Sequence, residues 1–382
     1  MKILHLADLH LGRSLADFDL IDDQRYILNQ ILDVIKEKEV NAVVIAGDVY
    51  DKSIPSEAAT NLLDSFLNDL AKINVNVLMI SGNHDSDDRL NFGSSLFKAN
   101  NIYISAIYKG ELYKKTLSDE YGDINFYLLP FVKASQVKRY YPDAKIENYN
   151  DAVMTVIDNA NIDDSARNII LSHQFVAGGS SDPTLSGSES VQVMSVGLVE
   201  KISYKCFDKF DYAALGHIHS AQDIGREYVS YSGSPLKYSL SEANSKKVLP
   251  IITFKNKGEI SREFVELKPM RDLRHIKGKM KDLLSLDNVT DTDDFIYASL
   301  TDEDYIENAI SIFRATYPNT VKIDYDNSKS KAIEEVDISA IVESKTYQEF
   351  ISDFYHQIYG TDITDEEMQI MIEVAKEAGV DI

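Results

Sequence analysis

Asp8-Leu9-His10, Gly47-Asp48, Gly82-Asn83-His84-Asp85, a lone His173 and Gly216-His217-Ile218-His219 follow one another along the first 220 residues. Carboxylate, carboxamide and imidazole groups are ligands that suit Mn²⁺, Fe or Zn²⁺. Cys206 is the single cysteine, so a closed thiolate zinc site has no ligands to draw on. Five of the eight histidines fall inside the set, which argues against coincidence. Two ions held close together can clamp a phosphodiester, one activating water and both stabilising charge on the transferring phosphoryl group. Such a pair needs a bridging carboxylate, and Asp48 stands between two groups of ligands. By the usual division, Asp8, His10 and His219 complete the first ion, and Asn83, His173 and His217 the second. His84 neighbours a ligand and is read as catalytic: an imidazole titrating near neutral pH can stabilise the transition state or protonate the leaving oxygen.

Each motif alone has a blander explanation. Asp-x-His recurs by chance, a Gly-Asn turn can be structural, and a lone histidine is usually a satisfied core residue. Gly-His-x-His at a strand end is the stronger signal. What carries the metal reading is the joint order, with each motif just after an apolar run.

Those runs belong to alternating elements. Lys2–Ala7 reads as a buried strand, and Asp22–Glu39 as an amphipathic helix with Tyr26, Ile27, Leu28, Ile31, Leu32 and Ile35 on its apolar face. Asn41–Ala46 is a second strand, Ser56–Lys72 a helix after Pro55, and Val75–Ile80 a third strand. The alternation predicts layered α/β packing, whose sites form at the carboxyl ends of strands. Asp8, Asp48, Asn83, His173 and His217 all occupy that position. A Gly/Ser-rich loop is expected over residues 174–192, read as surface loop in preference to a lid over substrate. Strands resume at Tyr228–Tyr231 and Val248–Phe254.

Near Lys268-Pro269 the character changes. The basic stretch Arg271, Arg274, Lys277, Lys279 and Lys281 reads equally as a phosphate contact or a solvated linker helix. A unit around Phe295–Leu300, Tyr305–Tyr317 and Thr320–Tyr325 follows, then a polar linker at Asn327–Lys331. Two helices are expected at the end. The first carries Ile338, Ile341, Val342, Phe350, Ile351, Phe354 and Ile358 and stops near Gly360. The second opens with Thr364 and Glu367 in capping-box spacing. The domains predicted are therefore 1–267, 268–326 and 327–382.

The 382 residues carry a net charge of −23, of which residues 287–382, with 6 basic and 23 acidic residues, hold −17. The acidity thus lies away from the motifs and fits a basic protein partner or solubility. One cysteine indicates a reducing compartment. With no apolar run of membrane-spanning length and no cleavable leader expected, the reading is cytoplasmic, without a membrane.

The motif set resembles the calcineurin-like metallophosphoesterase superfamily, and residues 1–267 resemble its DNA-repair nuclease branch. The residues carrying this are Asp8 to Arg13, Gly47-Asp48-Val49-Tyr50-Asp51, Gly82 to Ser86 with Arg89-Leu90, Ser172-His173-Gln174, Gly216 to His219, Tyr231-Ser232-Gly233-Ser234-Pro235 and Arg271-Asp272-Leu273-Arg274. The match spans about the first 280 residues. The resemblance implies a layered metallophosphoesterase sandwich, a small α+β capping domain facing DNA, and a C-terminal helical segment that binds a partner. It implies two Mn²⁺, with Mg²⁺, Fe or Zn²⁺ as other occupants. It implies exonuclease action on double-stranded DNA ends and endonuclease action on single strands and hairpins. Its partners would be a coiled-coil ATPase that gates DNA access and a second copy of the chain, dimerised near Arg89–Lys98 within a heterotetramer. One departure stands out. Many relatives place a histidine three residues after the bridging aspartate to assist the catalytic histidine, and this chain has Asp51, which could orient His84 instead.

Two other classes compete. Protein phosphatases of this superfamily follow Gly-Asp with Val-Asp-Arg-Gly and use Gly-Asn-His-Glu, which this chain lacks; a cyclic phosphodiesterase belongs to the same class. A non-catalytic scaffold would have lost ligands, and all seven are present with His84. The chain has no Walker-type Gly-x-x-x-x-Gly-Lys-Ser/Thr motif, so an ATPase would be another chain.

Overall fold

A computed structural model describes residues 1–178, 182–187, 201–328, 347–359 and 361–377. β1 (Lys2–Leu6) leads through a small hairpin, β2 (Ser14–Leu15) and β3 (Phe18–Asp19), into α1 (Ile21–Glu37), β4 (Ala42–Ala46), α2 (Glu57–Lys72) and β5 (Asn76–Ile80). The short helices α3 (Asp87–Asn91) and α4 (Ser94–Phe97) precede β6 (Ile102–Ser105), β7 (Tyr113–Asp119) and β8 (Gly122–Leu129). Next come α5 (Ala134–Lys138), α6 (Tyr149–Asp158), β9 (Arg167–His173), β10 (Val176–Ala177), β11 (Ile202–Ser203) and β12 (Tyr212–Gly216). β13 (Gln222–Ile224), β14 (Arg226–Tyr231), β15 (Val248–Phe254), β16 (Ile260–Glu266) and β17 (Leu273–Gly278) follow. The last elements are α7 (Met280–Leu283), β18 (Phe295–Leu300), α8 (Ala309–Thr316), β19 (Thr320–Tyr325), α9 (Tyr347–Tyr359) and α10 (Asp365–Glu377).

Two six-stranded sheets, ordered β16-β15-β1-β4-β5-β6 and β13-β14-β12-β9-β8-β7, form the centre. Their inner faces meet through Ile3, Val44, Leu78, Phe126, Ile169, Tyr212 and Phe254. The outer face of the first sheet is covered by α1 and α2 through Ile27, Ile31, Leu62 and Phe66. That of the second is covered by α6, through Val153, Val156 and Ile157. The result is a helix–sheet–sheet–helix sandwich. β4 has the sequence Ala-Val-Val-Ile-Ala and is buried throughout, as a parallel strand covered on both faces must be. Ser56 starts α2 by accepting from the Ala59 N–H at 3.2 Å. Tyr26, assigned to the apolar face of α1, is 43% exposed, whereas Val34 is buried.

Met1–Ile276, Leu286–Ala298 and Asn308–Ile323 make up one compact unit. Lys277–Ser285, Ser299–Glu307 and the described residues from Asp324 onward form the other. β17, β18 and β19 hydrogen-bond in that order as a three-stranded sheet. The basic stretch is thus strand, not helix, from Leu273 to Gly278. Three of its five cations are engaged: Arg271 Nε donates to Asp23 at 3.1 Å, Arg274 pairs with Asp294 at 2.7 Å, and Lys277 pairs with Asp326. The Tyr305–Tyr317 stretch becomes helical only from Ala309. At Thr364 the capping box forms, with the Thr364 N–H donating to Glu367 at 2.9 Å and the Glu367 N–H donating back at 3.3 Å. Ile338, Ile341, Val342, Gly360 and much of the Gly/Ser loop (179–181 and 188–192) lie outside the described residues. Among the described residues no helix is long and apolar enough to cross a membrane.

Candidate metal centre

Parallel pairing puts the carboxyl ends of β1, β4 and β5 side by side in one sheet, and those of β9 and β12 side by side in the other. The loops leaving them are tied together. The Asp8 N–H donates to Gly47 O at 3.1 Å, and the His10 N–H to Asp48 O at 3.0 Å. The His217 N–H donates to Asp8 Oδ1 at 2.9 Å, joining the two sheets, and the His84 N–H to Asp48 Oδ1 at 2.9 Å. Asp8, His10, Asp48 and His217 all have positive φ, strain that persists because these contacts over-determine it. Gly82 is needed for close approach, since a Cβ there would overlap the backbone nitrogen and Oδ1 of Asp48.

All seven predicted ligands meet at this edge. His10 Nε2 lies 3.1 Å from His219 Nε2 and 3.6 Å from Asp48 Oδ2. On the other side of Asp48, His173 Nε2 is 3.3 Å from the same Oδ2 and 3.1 Å from Asn83 Oδ1. His217 Nδ1 is 3.0 Å from that amide oxygen. His84 Nε2 stands 4.0 Å from Asp48 Oδ2. Ligand atoms of Asp8, His10 and His219, of His10, Asp48 and His84, and of Asp8, Asp48 and His173 each cluster within 4.8 Å. Asp48 therefore touches both sides of the set, and Asp8 reaches both as well.

This arrangement fits bound cations. His173 Nδ1 donates to the Ala46 carbonyl at 2.7 Å, which in the neutral ring leaves Nε2 an acceptor facing two further acceptor oxygens. A proton on that nitrogen or a metal ion resolves it. The Nε2 atoms of His10 and His219 face each other at 3.1 Å, where either one ring donates to the other or both turn lone pairs to an ion. The charges respond accordingly: burial opposes it, but Asp48 raises His173 to about 9. Burial lowers His10 to about 4 and His217 to about 3. Burial, with Asp48 adding to it against the pull of His173 and His219, raises Asp8 to about 6.

Asp51 shows two faces. Its carbonyl oxygen accepts from His84 Nδ1 at 2.9 Å, while its carboxylate lies against Arg13 at 2.9 Å and His10 Nδ1 at 3.6 Å. Three supporting groups have no sequence reading behind them. Asp85, quoted only as part of a motif, accepts from the N–H groups of Gly82 (2.9 Å), Tyr50 (2.9 Å) and Val49 (3.1 Å), clamping two ligand loops together. Glu242 and Lys247 form a buried ion pair, with Glu242 Oε1 3.9 Å from His219 Nδ1 and Lys247 donating to His219 O at 2.9 Å. Asp85 was within reach of the motif; the Glu–Lys pair leaves no periodic or spacing signal.

The pattern of calcineurin-like phosphoesterases matches residues 1–221, and that of the type 5 capsule protein repressor C-terminal domain matches residues 269–359. The chain belongs to the calcineurin-like phosphoesterase family, with a candidate two-metal site of Asp, Asn and His ligands. It is 34% identical over 337 residues to the SbcD subunit of the nuclease SbcCD of Staphylococcus epidermidis, covering 86% of this chain and 87% of that protein. Within the family it is therefore an SbcD homologue. A dimetal phosphatase from Danio rerio aligns at 12% identity with a TM-score of 0.39, over 70% of this chain and 98% of that one. So distant a likeness adds nothing to the fold, which rests on the sheets themselves.

Proposed function

We propose that the chain is the nuclease subunit of an SbcCD-type complex, hydrolysing DNA phosphodiesters at ends, hairpins and single strands with two Mn²⁺. The observation that carries this is the position of Asp48 Oδ2, within 3.3–4.0 Å of His173, His10 and His84. Asp8, His10 and His219 would hold one ion, Asn83, His173 and His217 the other, and Asp48 both. When bound, such a pair supplies Lewis acidity toward a phosphodiester and an activated water. The same donors also suit Fe or Zn²⁺, with Mg²⁺ a further occupant. The protein's own work is orientation and proton handling. The Asp51 carbonyl fixes His84 Nδ1–H, which turns Nε2 toward Asp48, where it can meet a phosphate oxygen or protonate the leaving group.

The remaining parts follow the same reading. Residues 1–267 are the nuclease domain, 268–326 a capping domain facing DNA, and 327–382 a linker with helices for the SbcC-type coiled-coil ATPase. Phe92 and Leu96, 83% and 77% exposed on the α3–α4 stretch, support a homodimer there, within a heterotetramer in the cytoplasm.

End-labelled hairpin and single-stranded DNA, incubated with Mn²⁺ beside a generic aryl phosphate, test the proposal. Cutting of DNA that requires both Mn²⁺ and His84 is expected. Turnover of the aryl phosphate with DNA untouched, including after addition of SbcC and ATP, would favour a phosphatase instead.

A further inference from the structure

His10 turns Nε2 toward His219 and Asp48, so the other ring nitrogen faces away from the centre. That Nδ1 is buried and has no hydrogen-bond partner among the described residues. The carboxylate nearest to it is Asp51 Oδ1, at 3.6 Å. Arg13 holds the same oxygen at 2.9 Å, and its guanidinium lies 5.5 Å from the centre of the Tyr238 ring. The Asp51 side chain is thus pinned between a cation and an imidazole, while its link to His84 runs through the backbone carbonyl, which any residue at 51 would supply.

We propose that the Asp51 carboxylate is a positioning residue for His10, acting on metal affinity and not on His84. A carboxylate beside Nδ1 favours the tautomer with Nδ1–H, which leaves the Nε2 lone pair for an ion and makes the ring a stronger ligand. The same device recurs on the neighbouring histidine. Glu242, paired with Lys247, stands 3.9 Å from His219 Nδ1. By contrast, His173 Nδ1 meets only the neutral carbonyl of Ala46 at 2.7 Å. Both histidines assigned to the first ion are therefore backed by a carboxylate that a basic side chain holds in place, and among the described residues His173 Nδ1 has no such carboxylate. The inference rests on the two-metal reading above.

Calorimetric titration of the full chain with Mn²⁺ tests it, with Asp51→Asn as the main variant, since the amide keeps the shape and loses the charge. The parent is expected to take up two ions. In Asp51→Asn one of the two affinities falls by ~10–100-fold, the range for groups that orient metal-bound histidines. The Mn²⁺ needed for half-maximal DNA cleavage rises in parallel, and activity recovers at saturating Mn²⁺. Arg13→Gln, which keeps the carboxylate but releases its clamp, shifts the same affinity by less. Unchanged affinities in Asp51→Asn, with turnover lost even at saturating Mn²⁺, would overturn the inference and return Asp51 to His84. A parent chain that binds no Mn²⁺ would overturn the metal assignment and this inference with it.

Discussion

His84 differs from the seven proposed ligands in what it touches. It is a quarter exposed, its Nδ1 is committed to the Asp51 carbonyl, and its Nε2 reaches only to 4.0 Å from Asp48. Removing it should leave both ions in place and cost only the proton transfer. His84→Ala is expected to bind Mn²⁺ in the parent's stoichiometry while cleaving DNA ~10²–10⁴-fold more slowly, the usual worth of a positioned acid or base. Loss of an ion by elemental analysis would make it a ligand. Asp48 should behave oppositely. Its Oδ2 serves both sides, so Asp48→Ala should empty both positions, and two ions retained after gel filtration would contradict the bridging role. That these eight residues meet was legible in the sequence because their types and order survive any uncertainty about geometry. Asp85, Glu242 and Lys247 were not, because their partners are backbone N–H groups and a histidine 23 residues away along the chain from Glu242.

At the scale of elements, the sandwich is closed at the end away from the site by a charged clamp. Asp119 at the end of β7 accepts from Arg167 at 2.6 Å and from the Met1 ammonium at 2.7 Å. Arg167 also donates to the carbonyl of Lys255 at 2.6 Å, so the clamp spans both sheets. Burial opposes ionisation, yet Arg167 and the N-terminus hold Asp119 at about 2 against an ordinary 3.8. A depressed carboxyl contributes its stability above the unfolded value and loses it as pH falls through the folded one. The clamp is therefore complete at pH 5 and weakens between about pH 4 and 2. Asp119→Asn should cost ~1–3 kcal/mol at pH 5, where it strands a buried guanidinium, and much less at pH 2. Urea melts of both forms at the two values check it; an equal difference at both would remove the clamp from the account. No sequence pattern foretold this pairing, because it joins residues 48 positions apart. The helices were easier. α1 and α2 follow from apolar spacing alone, whereas β17 was obscured by its basic residues and by Leu273 and Ile276 standing three apart, a helical spacing.

Across the whole molecule, charge and apolar surface divide the labour. The ligand motifs lie in a stretch of modest net charge, while residues 287–382 carry −17. Within that acidic part, α9 and α10 contact each other, with the Tyr355 hydroxyl donating to Glu367 at 2.7 Å, and Ile351 and Ala375 are buried. The pair still leaves Phe354, Ile370 and Val374 more than half exposed, at 52%, 59% and 56%. Apolar side chains at such spacing on an acidic helix suit a partner helix whose own face is apolar with basic flanks. On the proposed function, that partner is the SbcC-type coiled-coil ATPase. The double substitution Ile370→Asp and Val374→Asp should then abolish binding of that partner's coiled coil. Because both positions are exposed, the melting temperature should move little, each change costing within ~0.5 kcal/mol. DNA cleavage by the isolated chain should be unaffected, since no metal ligand lies in the segment. If the variant instead melts early with binding intact, the exposed stripe is packing surface for this chain and the partner docks elsewhere.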